Sequence, residues 1–126
     1  HGYNCSQAVL CAFSDVLDTD EKTLFRISEG FGSGLGCTLG TCGALNAACM
    51  VVSLCVSSGN MENPDSKGKT YMNERNIVKK FEKEAGALQC CVIKGIETGV
   101  VLTECEDCVR IAVRLTERWL SDQHLV

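Results

Sequence analysis

A net charge of −4, with no basic stretch interleaved with aromatics, argues against nucleic acid as a partner of this 126-residue chain. Its composition, 45% hydrophobic and 22% charged, is that of a globular protein, and its length fits one domain, residues 1–126, able to bury a core without disulfide staples. No run reaches the roughly 18 apolar residues of a membrane span, which excludes membrane insertion by a helix and leaves ten cysteines in need of a chemical reason.

Asn4 is placed to cap a first helix, with Gln7 completing a capping-box pair, and Cys5, Val9, Ala12, Phe13 and Val16 follow on one helical stripe. Asp20 caps a second helix carrying Leu24 and Ile27, which Gly30 ends. A glycine-rich loop runs from Gly30 to Gly43. A third helix from Ala44 to about Ser57 is apolar nearly all round, the mark of a central bundle element. Ser58 to Lys69, with Gly59, Pro64 and Gly68, reads as a mobile connection. A fourth helix then sets Tyr71, Val78, Phe81 and Ala85 on its inner stripe. Ala87 to Leu102, with the vicinal Cys90 and Cys91, reads as helix then loop. Thr103 and Glu106 match a second capping box, opening a last helix whose inner face runs Cys105, Cys108, Val109, Ala112, Val113, Thr116 and Trp119. Phe13, Phe31, Phe81 and Trp119 read as core. The expected fold is an all-α single-domain bundle of about five helices, with the glycine-rich loop before a buried central helix.

Cysteines at helix starts carry the chemical signal. A helix N-terminus offers unpaired N–H groups and the positive end of the dipole, which favour a thiolate over a thiol. Cys5, Cys42, Cys105 and Cys108 all fall near predicted helix starts, and they converge if those starts meet at one end of the bundle. Cys11, Cys49 and Cys55 lie within apolar helical stretches and read as core filling. Cys37 and Cys91 are open. Cys105-Glu106-Asp107-Cys108 is a Cys-x-x-Cys at a helix start, the arrangement of a reactive dithiol pair.

Several chemistries are set aside by what surrounds these thiols. No βαβ context of a thioredoxin is present, and Val109 stands where covalent haem attachment needs His. A structural zinc site draws on two tight ligand pairs, and only one Cys-x-x-Cys exists. The glycine loop lacks the Gly-Lys-Ser/Thr ending of a phosphate loop. His1 and His124, at the chain ends, leave no base for a Cys-His hydrolase, and Glu29, Glu104 and Asp107 read first as solvated surface charge. Dispersed thiolates remain compatible with an iron–sulfur cluster, its sulfurs hydrogen-bonded by peptide N–H groups of the glycine loop, such as Gly34, Gly36 and Gly43. The sequence opens at His1 rather than Met, so a signal peptide would lie outside it. The expected location is cytoplasmic, where cysteine richness points to metal or redox use more than to disulfides.

The chain resembles the family of redox-active proteins named after the spaced-cysteine pattern C_GCAxxG_C_C. The resemblance rests on Gly2-Tyr3-Asn4-Cys5-Ser6-Gln7-Ala8-Val9, on Gly30-Phe31-Gly32-Ser33-Gly34-Leu35-Gly36 and on Thr41-Cys42-Gly43-Ala44, then on Gly86, Cys90, Gly95, Cys105, Val109 and Ala112. It puts the four characteristic cysteines on Cys5, Cys42, Cys90 and Cys105, with Cys108 as the substitute for Cys105. Ala47 stands where the family's central motif has its last glycine. Family members are often encoded near transporter genes, and a related domain occurs in split-Soret cytochromes, where an iron–sulfur centre is suspected.

The leading expectation is an electron-transfer or redox-sensing protein in which Cys5, Cys42, Cys90 and Cys105 bind an iron–sulfur cluster or another thiophilic metal. The alternative is a thiol–disulfide oxidoreductase acting through the same cysteines, with Cys42 or Cys105 as nucleophile and Cys90 or Cys108 resolving. A third reading is a non-catalytic accessory protein linked to a transporter. The expected partner is an unidentified redox protein, and a homodimer is left open.

Overall fold

A computed structural model describes residues 2–126 and contains six helices among them: α1 (Cys5–Cys11), α2 (Glu21–Glu29), α3 (Gly43–Val56), α4 (Lys67–Ala85), α5 (Cys90–Lys94) and α6 (Cys105–Asp122). The all-α expectation holds, and within 87–102, read as helix then loop, the helix is the short α5. α3 lies at the centre and packs on α1, α4 and α6. Its sequence explains that position, because Gly43, Ala44, Ala47 and Ala48 let neighbouring backbones approach while Leu45, Val51 and Val52 fill the space between, all of them buried. Ala47, fully buried, serves here as a small contact residue. Val9 and Leu10 of α1, Leu24 of α2, Ile77 and Phe81 of α4, and Ala112, Leu115 and Leu120 of α6 complete the core. None of the described helices is long and apolar enough to cross a membrane.

The N-terminal caps fold as expected. Asn4 accepts from the Gln7 N–H at 2.9 Å while the Gln7 side chain accepts from the Asn4 N–H at 3.0 Å. Both side chains also reach across to α2. Asn4 Nδ2 donates to the Glu29 carbonyl at 2.9 Å and Gln7 Nε2 to the Phe25 carbonyl at 3.2 Å, so the start of α1 is fastened to the end of α2. Asp20 caps α2 through the Thr23 N–H at 3.2 Å, and Gly30 ends that helix.

Several details depart from the expectation. α1 stops at Cys11 and gives way to turns, so Val16 leaves the stripe and is exposed while Leu17 is buried. Ile27 is exposed, and Ser28 takes the inward position of α2, its hydroxyl donating to the Leu24 carbonyl at 2.7 Å. The inner stripe of α4 is Thr70, Ile77, Phe81 and Ala85, with Tyr71 turned outward. No second capping box forms, because the N-cap of α6 is Glu104 and the Thr103 hydroxyl donates instead to the Ala85 carbonyl at 2.8 Å, tying α6 to the end of α4. Along α6 the buried face is Cys108, Ala112, Leu115, Thr116, Trp119 and Leu120, whereas Cys105 is exposed. Phe13 and Phe81 are buried and Phe31 is half-buried. The connection before α4 is organised by its own hydrogen bonds, Ser58 Oγ donating to Asp65 at 2.8 Å and the Ser58 N–H to Ser66 Oγ at 3.0 Å.

Candidate functional site

The glycine-rich loop is wound tightly rather than open. Ser33, Leu35 and Thr38 all have positive φ, conformations that cost non-glycine residues about 1–3 kcal/mol each and persist only where the surroundings enforce them. The end of the loop is tied to the residues that lead into α5. Thr41 and Gln89 form an antiparallel bridge, the Cys42 N–H donates to the Leu88 carbonyl at 2.8 Å, and the Cys90 N–H donates to the Gly40 carbonyl at 2.9 Å. Gln89 Nε2 adds a bond to the Leu39 carbonyl at 2.8 Å. This short two-stranded clasp sets Cys42 and Cys90 side by side, one before α3 and one opening α5.

Two glycines make the close approach feasible. A Cβ on Gly34, at φ 60°, would stand 3.2 Å from the Cys90 sulfur and would collide with its Cβ. A Cβ on Gly43 would meet the Phe31 carbonyl oxygen at 2.5 Å and the Cys5 sulfur at 2.8 Å. Gly43→Ala is therefore expected to destabilise the fold by about 1–3 kcal/mol, since backbone rather than a flexible side chain is in the way. Urea denaturation checks this, and an unchanged midpoint would contradict it. Gly36 has open space where a Cβ would sit and does not line the cavity described next, so of the three loop glycines expected near the thiols only Gly34 and Gly43 are there.

The starts of α1, α3, α5 and α6 meet around a cavity of about 180 Å³ lined by Cys5, Cys42, Cys90, Cys105 and Cys108, together with Asn4, Ser33, Gly43, Ile93 and Lys94. All four cysteines picked from the sequence reach it, and Cys108 reaches it as well. Cys105 and Cys108 are not equivalent: Cys108 is 2% exposed, whereas Cys105 sits in the open and also borders a neighbouring outer groove that runs along Tyr3 and Arg110. Cys5 is half-buried between the two. Asn4 and Lys94 were not picked out as site residues. Asn4 was legible only as a cap, and Lys94 had no signal beyond its place in Cys90-Cys91-Val92-Ile93-Lys94, since its position depends on the clasp.

Electrostatics separate the thiols. The Cys108 thiol beside Cys42 is the first cause that lowers it, the Ala44 and Leu45 N–H groups and the Lys94 ammonium add to that pull, and against its burial the Cys42 thiol is held at about 6. Cys108 is pushed up as the donor to Cys42, by burial and by the neighbouring Cys42, Cys105 and Cys5. Burial pushes Cys90 up, with Lys94 opposing and Cys42, Cys105 and Cys5 adding. Cys11, Cys49 and Cys55, expected as core filler, are half-buried against the core, and burial raises all three, Cys49 to about 12 with Glu74 contributing. All ten cysteines are free.

The remaining candidates lie elsewhere. Cys37 is exposed, its thiol facing the Gly34 carbonyl at 3.7 Å, and Cys91 is half-buried outside the cavity. Glu29, Glu104 and Asp107 do not line it; Asp107 pairs with Arg110 at 2.7 Å. His124 is exposed beyond α6, and His1 lies outside the described residues. Among the described residues no group of three or more His, Cys, Asp or Glu side chains is arranged to hold a metal ion. The five thiols as they stand do not converge on one ion, while their all-sulfur chemistry is that which iron–sulfur clusters use at their corners.

No curated protein and no solved structure matches the chain. The family whose sequence model matches it is described as "Putative redox-active protein (C_GCAxxG_C_C)", and the match runs over residues 3–119. That span takes in all five thiols of the cavity and both glycines packed against them, and the chain belongs to the C_GCAxxG_C_C family of cysteine-rich, redox-active proteins.

Proposed function

We propose that the chain is a thiol–disulfide redox protein in which Cys42 is the attacking thiolate and Cys108 the resolving thiol. The observation that carries this reading is the buried Cys108 thiol set against the Cys42 sulfur at the start of α3, inside a cavity with an open rim at Cys105. In the forward step the Cys42 thiolate attacks one sulfur of a substrate disulfide; a Cys42–substrate disulfide forms, the substrate S–S bond breaks, and one half leaves as a thiolate. Cys108 then gives its proton to a departing thiolate and attacks the Cys42 sulfur, which releases the second half. Two electrons pass to the substrate, and Cys42 and Cys108 end as a disulfide that a dithiol donor must reduce. A reducing, cytoplasmic compartment suits a protein that works through free thiols.

The pH dependence tests it. Above about pH 6 Cys42 is a thiolate and below it a thiol, so alkylation of Cys42 by iodoacetamide should rise with pH to a plateau with its midpoint at about 6. An ordinary midpoint near ~8.5 would contradict the reading.

A second reading is supported by one observation, that thiols from four separate helix starts line the cavity, more than dithiol exchange uses. In it Cys5, Cys42, Cys90 and Cys105 would hold an iron–sulfur cluster, which supplies one-electron transfer when bound. Iron and acid-labile sulfide in matching amounts in protein purified without oxygen, lost on replacing Cys90, would favour it. Colourless protein free of both returns the assignment to the thiols alone.

A further inference from the structure

Resting on the thiol–disulfide reading, we propose that Lys94 makes the cavity selective for small disulfides that carry a carboxylate close to the sulfur. Among the described residues Lys94, the last residue of α5, is the one cation on the lining, which holds no acidic residue. Among the described residues no carboxylate lies within ion-pair distance of its ammonium, and the ion pairs of the chain fall on Arg110 and Arg114. Its Nζ donates a hydrogen bond to Ser33 Oγ at 3.4 Å. Ser33 makes that contact from a left-handed backbone at φ 52°, a strained conformation, and lies on the cavity wall.

Charge balance through the reaction gives Lys94 its role. Before attack the Cys42 thiolate offsets the ammonium. Once the mixed disulfide has formed, that negative charge has left with the first thiolate, and a cation remains on a largely apolar wall without a counter-charge. A carboxylate on the half still bound to Cys42 replaces it, so an anionic substrate is favoured at the step where a neutral one leaves the cation unpaired. The cavity, about 180 Å³, admits an amino-acid-sized half of a disulfide. The outer groove, about 360 Å³ and sharing Asn4, Cys5 and Cys105 with it, takes the other half.

Single-turnover oxidation of the reduced protein by dithiodipropionate, a dianion, and by bis(2-hydroxyethyl) disulfide, a neutral molecule of similar length, tests the proposal in the wild type, Lys94→Gln and Lys94→Arg. The wild type is expected to prefer the dianion. Lys94→Gln should lose about tenfold more with the dianion than with the neutral reagent, the size of one partly desolvated ion pair, and Lys94→Arg should keep most of the preference. A Lys94→Gln variant slowed equally with both reagents, or with neither, overturns the selectivity and leaves the thiol chemistry standing. A wild type that forms no Cys42–Cys108 disulfide with either reagent overturns the thiol–disulfide reading, and this inference with it.

Discussion

Replacing Cys42 by serine is expected to abolish reduction of small disulfides, lowering the rate by a factor on the order of a thousand or more. A serine hydroxyl is not ionised near neutral pH and cannot form the mixed disulfide, so the Cys108 thiol and the Ala44 and Leu45 N–H groups, which lower Cys42, have no thiolate to favour. The variant should fold, because serine has the shape of cysteine and Cys42 stands as the N-cap of α3, a position serine favours. Cys49→Ala is the matching control. Cys49 is half-buried, away from the cavity, and pushed up to about 12, so its removal should leave the rate unchanged and cost stability alone, about 1 kcal/mol. Steady-state rates on the two variants check the pair. Full activity in Cys42→Ser would remove Cys42 from its assigned role.

The second large effect is expected at Cys108. Cys108→Ser leaves a hydroxyl that can still donate to the Cys42 thiolate but cannot form a disulfide with it, so the first half-reaction survives and the second fails. Turnover should fall by about a hundredfold or more, and the Cys42–substrate adduct should accumulate and be visible by intact-mass spectrometry. Cys108→Val removes the donor altogether and should move the alkylation midpoint of Cys42 upward from about 6, since the Cys108 hydrogen bond is the first cause of its low value. If instead Cys90→Ser trapped the adduct and Cys108→Ser did not, Cys90, its immediate neighbour across the clasp, would be the resolving thiol.

What could be read from the residues was set by how local each determinant is. The Asn4–Gln7 box, the Asp20 cap and the Gly30 stop need only a few neighbouring positions, and all three form. The burial of α3 was legible because no face of it is polar. Thr103 and Glu106 have the spacing of a cap, yet a tertiary partner, the Ala85 carbonyl, takes the Thr103 hydroxyl. Val16 and Ile27 were misplaced for a related reason: periodicity presumes an unbroken helix with a known inward face, and α1 ends at Cys11 while α2 turns Ser28 inward.

The site divides along the same line. That Cys5, Cys42 and Cys105 stand at helix starts was readable from residue type and position, whereas the meeting of those starts at one end of the bundle was allowed by the sequence and not dictated by it. Which of Cys105 and Cys108 lies inside was not readable, because they are one turn apart and the rotation of α6 against its neighbours decides it. Lys94 was invisible for a stronger reason. It reaches the thiols only because Thr41 and Gln89, far apart in sequence, pair and carry α5 to the start of α3.

The most direct test of the account is a disulfide map by mass spectrometry of protein first fully reduced and then treated with one equivalent of a small disulfide. The account predicts a single intramolecular bond between Cys42 and Cys108, with Cys11, Cys49 and Cys55 still free. Oxidation that leaves Cys42 and Cys108 both as free thiols would contradict it.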